Sequence, residues 1–125
     1  MRFAFLCPLI LALAAAGCSK NEPTQPSAPP DPALTIRISS SGATPRTLTV
    51  PRGSQVTFTN NDTVPHQMYS DPHPEHTDCP EFDSVGSLSP GETRTTTNLV
   101  TTRTCTFHDH LNFGNATLRG SVTIQ

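Results

Sequence analysis

Two histidines stand two positions apart in "TCTFHDHLNFGNATLRG", where His108 and His110 flank Asp109. The Thr, Cys and Phe before them favour extended backbone. On a strand, residues two apart share a face, so both imidazoles could reach one metal ion. The other three histidines lie upstream, His66 in "VPHQMYS" and His73 and His76 in "DPHPEHTD". Imidazole suits copper, zinc and nickel, and among divalent ions copper binds such ligands most tightly. All five histidines are therefore candidate ligands, with Asp109 beside two of them. Nitrogen and oxygen ligands favour Cu(II) over the cuprous state, with zinc as the other candidate. Met68, two residues after His66, is the one soft ligand candidate besides Met1, although a thioether on a strand also serves simply as core packing. The histidines have plainer roles too: His66 as a turn residue after Pro65, His73 and His76 as solvated loop residues, His108 and His110 as hydrogen-bonding groups.

Other chemistries find little support. A formal net charge of -2, with six arginines and no lysine over residues 34–125, leaves no basic patch for nucleic acid. No phosphate-binding glycine loop, nucleotide fingerprint or nucleophile elbow is present, so the expectation is a protein that is not an enzyme. A mononuclear copper oxidoreductase is the enzymatic alternative, because an open position beside two or three histidines can bind a small oxidant. The stretch "DPHPEHTDCPEFD" holds five acids and no lysine or arginine, which makes either a solvated loop or a rim that attracts cations.

These side chains need elements to position them, and the chain divides into three parts. Residues 1–17 read as a secretory signal: Arg2, an apolar run, then small residues. The "AAGC" ending at Cys18 resembles the lipobox of bacterial lipoproteins, which implies lipidation of Cys18, a membrane anchor and residence in the cell envelope. Ser19 is not the aspartate that resembles an inner-membrane retention signal, which leans toward the outer membrane. Residues 18–33, rich in Pro and Ser, read as an extended tether. Residues 34–125 form the one domain. With Cys7 lost with the signal and Cys18 lipidated, Cys79 and Cys105 remain, and an oxidising compartment favours a disulfide between them. The rival role for Cys105 is a metal thiolate.

Within the domain, short apolar and polar alternations mark strands: "LTIRIS", "TLTV", "SQVTFTN", "HQMYS", "TRTTTNLV", "TCTFH" and "GSVTIQ". "SGATP", "PRGS", "NNDTVP" and "LSPGE" read as the bends between them. The expected fold is all-β, a two-sheet antiparallel β-sandwich with Greek-key connections, its core built from Ile36, Ile38, Leu48, Val50, Val56, Phe58, Val122 and Ile124.

The order of features from residue 48 onward resembles the cupredoxins, small copper-binding sandwich domains. "LTVPRGSQVTFTNNDTVPH" looks like their strand, turn, strand and first-ligand segment, with His66 at the first histidine. "GSLSPGET" is similar to their proline-glycine turn and "LRGSVTIQ" to their last strand. The resemblance implies that the two histidine segments meet at one end of the sandwich, which makes His66, His108 and His110 the candidate ligand set, with His73, His76 or Asp109 completing or guarding it. The ligand loop departs from the blue-copper pattern of cysteine, histidine and methionine: Asp109, Asn112 and Leu118 stand at those positions, with Cys105 and Phe107 sharing a strand face. A second alignment takes "CTFH" as the ligand motif, making Cys105 and His108 ligands and leaving Cys79 unpaired. The loop also resembles a cupredoxin-like variety with His-Asp-His-Leu-Asn-Pro, Phe113 here replacing the proline.

The expected function is therefore a membrane-tethered envelope protein that binds copper for electron transfer or copper handling, without a normal blue-copper site. Its expected partners are the copper ion, an envelope redox or copper-trafficking protein, and the membrane through the lipid. The alternative is a metal-free β-sandwich that serves as an interaction module.

Overall fold

The computed structural model describes residues 29–125. The expected signal segment, Cys18 and most of the tether lie outside the described residues. Residues 29–33 are exposed, and a 3-10 turn over Pro32–Leu34, capped by the Asp31 carboxylate, leads into the first strand. Nine strands follow: β1 (Thr35–Ser39), β2 (Gly42–Thr44), β3 (Thr47–Val50), β4 (Thr57–Asn60), β5 (His66–Ser70), β6 (Gly86–Leu88), β7 (Thr93–Thr95), β8 (Arg103–Asp109) and β9 (Gly120–Ile124).

They build an all-β sandwich of two sheets, one ordered β2-β1-β4-β7 and the other β3-β9-β8-β5-β6. The chain crosses repeatedly from one sheet to the other, so strands distant in sequence become neighbours. Two of these pairings, β1 with β4 and β3 with β9, are parallel, which makes both sheets mixed instead of purely antiparallel. "SGATP" differs from its reading as a bend: Gly42–Thr44 doubles back as β2 on β1. Residues 86–88 likewise pair with β5, with His66 opposite Leu88.

The two sheets bury one apolar cluster that includes Ile36, Ile38, Val50, Val56, Phe58, Val122 and Ile124, with Leu48 partly buried at its margin. Phe58 meets the Phe82 and Phe107 rings edge-on, at centroid separations of 5.9 and 5.3 Å. Such contacts add to the burial of three large rings. Gly120 faces Phe107 across the β8–β9 ladder, and a methyl group there would collide with that ring and with the Arg46 carbonyl oxygen. Only glycine allows β9 to lie so close.

β8 carries the fold into the site. Thr104 and Thr106 point outward and are exposed, whereas Cys105 and Phe107 point inward and are buried. His108 continues the outward series yet is fully buried, which requires a cover on the outer face of the five-stranded sheet.

Candidate metal centre

That cover is the segment 71–79. Its first residue is pinned by the Asp71 N–H donating to the Thr106 carbonyl at 3.1 Å. Its last, Cys79, forms a disulfide with Cys105, and both sulfurs are buried. Thiolate coordination by Cys105 is thereby excluded, and with it the alignment that makes Cys105 and His108 the ligand motif. The buried Ser70 hydroxyl shapes the interior of the loop by donating to the His76 carbonyl at 3.0 Å and accepting from the Cys79 N–H at 3.3 Å. His76 has a φ of 55°, in the left-handed region, and its N–H donates to the Pro72 carbonyl at 2.7 Å. A non-glycine residue held there carries local strain of the kind that collects at functional sites.

Folded in this way, the loop brings His73 and His76 over β8. One ligand atom from each of His73, His76, His108 and His110 lies within 4.8 Å of the others. Imidazole nitrogens bound at about 2.0–2.1 Å to one ion sit about 3–4 Å apart, so the cluster needs only a small contraction to close on a metal. His110 Nδ1 and His76 Nε2 already share a hydrogen bond of 3.2 Å. His108 Nδ1 donates to the Asp71 carboxylate at 2.7 Å, while His108 Nε2 and His73 Nδ1 are buried without a partner. Buried polar atoms normally find partners, so these two nitrogens mark where a metal would fit. Burial, opposed by the Asp71 carboxylate, holds the His108 imidazole below its ordinary pKa. Burial and then the neighbouring His110 do the same to His76. Both effects keep lone pairs available.

Aromatic rings wall the cluster. Tyr69 stacks on His76 at 4.4 Å between centroids, and Phe113 stacks on His73 at 4.2 Å. The Arg119 guanidinium lies over the outer face of Phe113, 4.1 Å from its centroid.

His66 sits elsewhere. On β5, His66 and Met68 face inward, and Met68 pairs with Asp109 while the outward Tyr69 pairs with His108. The pleat thus separates the inward His66, Met68 and Asp109 from the outward His108. Both ring nitrogens of His66 are engaged, Nδ1 with Asp109 at 2.8 Å and Nε2 with Asp62 at 3.2 Å. Asp109 also accepts from the backbone N–H groups of Gln67 and Leu111 and from the Asn112 amide. Burial pushes its carboxyl up, but the Asn112, Gln67 and His66 hydrogen bonds outweigh that and hold it below the usual carboxylate range. The Thr63 N–H first, and His66 after it, do the same for Asp62. Buried Asn60 shapes this corner by bonding the Val64 and Leu88 carbonyls and accepting from the Asp62 N–H. Met68 is packed in the core. The positions aligned with the blue-copper ligands, His66, Asp109, Asn112 and Leu118, therefore make a hydrogen-bonded corner above an apolar side chain.

The structure groups His108, His110, His73 and His76, and leaves His66, Met68 and Asp109 on the inner face. Asp71, Tyr69 and Phe113 are the contributors that spacing did not point to. The signal for Asp71 was available in strand pairing: once Ser70 faces Phe107, the next residue falls beside the outward side of β8.

No family model matches the chain, and no curated protein matches it in sequence. Solved structures do match. A purple cupredoxin from Nitrosopumilus maritimus is 19% identical over 74% of this chain and 99% of its own, with a TM-score of 0.57. The chain has the cupredoxin fold. The oxidised plastocyanin of Dryopteris crassirhizoma shares that cupredoxin fold at 21% identity, over 73% of this chain and 99% of its own, with a TM-score of 0.57. A methionine variant of amicyanin in its Cu(I) form is 18% identical, over 76% of this chain and 84% of its own, with a TM-score of 0.56. At these identities the likeness is one of cupredoxin architecture, and the outer-face histidine cluster has to be read from this chain's own residues.

Proposed function

We propose that this cupredoxin-like domain is a non-catalytic copper-binding protein of the cell envelope, tethered through lipid on Cys18, that holds Cu(II) on His73, His76, His108 and His110. The observation that carries this reading is the convergence of four imidazoles within 4.8 Å, with a fully buried His108 whose Nε2 has no other partner. Four nitrogen donors and no thiolate favour Cu(II), and the usual order of divalent affinities places copper above zinc at such a site. The amicyanin variant matched in fold was captured with Cu(I), so copper is at home in this architecture.

Copper handling is the preferred role. A set made only of imidazoles lacks the soft sulfur that lets one site suit both oxidation states. Electron transfer to an envelope redox partner is the second reading, favoured by fold neighbours captured in oxidised and in reduced forms.

Titrating the protein with Cu(II) tests the site. The expected product has one equivalent of copper, a weak visible band and an EPR spectrum with nitrogen hyperfine structure from several imidazoles. Intense blue absorption would overturn the ligand set, and failure to bind copper at micromolar concentration would leave the metal-free interaction module. Fractionation of cells expressing the wild type and Cys18→Ala tests the anchor. The wild type should partition with membranes and the variant should not.

A further inference from the structure

We propose that Asp71 is the positioning residue of this metal centre: its carboxylate fixes His108 as the Nδ1–H tautomer, makes Nε2 the metal-binding atom and biases the site toward a dipositive ion. This inference rests on the four-histidine reading above.

A carboxylate oxygen only accepts, so the 2.7 Å contact between His108 Nδ1 and Asp71 Oδ1 places the proton on Nδ1. The same assignment leaves the Nε2 lone pair free, and Nε2 is the buried nitrogen without a partner. His108 has no solvent exposure through which water could offer an alternative. Asp71 is itself fixed, because its N–H donates to the Thr106 carbonyl and its carbonyl accepts from the Asp78 N–H at 2.9 Å. Among the described residues, no other carboxylate is hydrogen-bonded to any of the four clustered rings.

The chemistry follows from charge. Four neutral imidazoles bring none, so among the described residues the Asp71 carboxylate, one ring away, supplies the directly linked anion. A carboxylate bonded to the far side of a ligating histidine orients the ring and raises its donor strength, and losing such a partner typically costs about 10–100-fold in metal affinity. The attraction scales with the ion's charge, so Cu(II) gains more than Cu(I).

Asp71→Asn keeps the shape and an acceptor but removes the charge, and Asp71→Glu retains the charge. The expected result is a loss of about 10–100-fold in Cu(II) affinity for Asp71→Asn, a smaller loss for Cu(I), and partial rescue by Asp71→Glu. Each tenfold difference between the two losses raises the copper midpoint potential by about 59 mV. Nitrogen-resolved NMR should find Nδ1–H on His108 in the metal-free wild type and metallated Nε2 in its zinc complex. Both measurements stand if a variant folds poorly. Unchanged Cu(II) affinity, potential and EPR spectrum in Asp71→Asn, or metal on His108 Nδ1, would overturn the role of Asp71 while leaving the four-histidine site intact. A wild type that binds neither copper nor zinc at these histidines would overturn both.

Discussion

Replacing Cys79 and Cys105 together by alanine removes the covalent tie between the histidine-bearing loop and β8. The bridge spans 26 residues of sequence, and the chain-entropy relation gives about 3.5 kcal/mol for a closed loop of that length, within the range for native disulfides in small domains. For a domain of this size, about 4–8 °C of melting temperature accompanies each kcal/mol, so the variant should melt on the order of 15–25 °C below the wild type. The loss should extend to the metal. His73 and His76 lie between Asp71 and Cys79, and without the bridge the loop is held to β8 at its Asp71 end by a backbone hydrogen bond to Thr106 and the side-chain contact with His108, and at its other end by the Ser70 hydroxyl and the Asp78 N–H on the Asp71 carbonyl. Urea unfolding of the metal-free proteins reads the first effect and copper competition titration the second. A double variant that unfolds within about 1 kcal/mol of the wild type would refute the entropic argument. One that binds copper as tightly as the wild type would refute the loop's dependence on its staple.

His66→Ala separates the inner corner from the outer cluster: it should cost about 1.5–3 kcal/mol by removing one hydrogen bond to the Asp109 carboxylate, which keeps those from Gln67, Leu111 and Asn112, yet change copper affinity only a few-fold, as denaturation and titration would reveal. His108→Ala should do the opposite to the metal, abolishing the four-nitrogen EPR signature while the far-ultraviolet circular dichroism of the sandwich persists. Phe107→Ala removes the ring that meets Phe58 edge-on and should cost about 3–5 kcal/mol, measured by the same urea titration. In the metal-free protein, His108 and His76 have folded values below the ordinary imidazole value, so the unfolded chain takes up protons first. Their contribution is complete above about pH 6.5 and declines as pH falls from there through the folded values. Asp109 adds a second decline, since its stabilisation is present above about pH 4 and is lost as pH falls through its lowered folded value. Stability measured stepwise from pH 8 to pH 3 should therefore fall in two stages, and a flat profile between pH 7 and pH 5 would contradict the burial of His108.

Strands with clear alternation were legible to the residue: "TLTV" is β3 and "HQMYS" is β5. Gly42–Thr44 escaped because glycine and proline signal a bend locally, while what makes it a strand is β1 lying alongside. The parallel pairs were hidden for the same reason, since local pattern says that a segment is extended and nothing of which distant segment it meets. In the site, the spacing of His108 and His110 pointed to a shared strand face, but β8 ends at Asp109 and His110 opens a 3-10 turn over His110–Asn112, so its ring reaches the cluster from that turn and not by strand parity. The grouping with His66 came from its place in the resemblance, and strand parity separates it. With Cys105 and Phe107 inward, Asp109 must face inward and His108 outward, so an inward His66 meets the aspartate. The contribution of His73 and His76 depends on how the 71–79 loop is folded back, which the disulfide, the Ser70 hydroxyl and the left-handed His76 determine together.

The placement of the cluster on the outside of the sheet has an evolutionary consequence. Met68 and Phe107 serve the interior from the same strands whose opposite sides present Tyr69 and His108, so substitutions in the metal-facing layer leave the interior jigsaw untouched. A short segment bounded by Asp71 and Cys79 can then be exchanged, lengthened or given new donors as a detachable cassette, and transplanted to another sandwich that offers an outward histidine and a cysteine three residues before it.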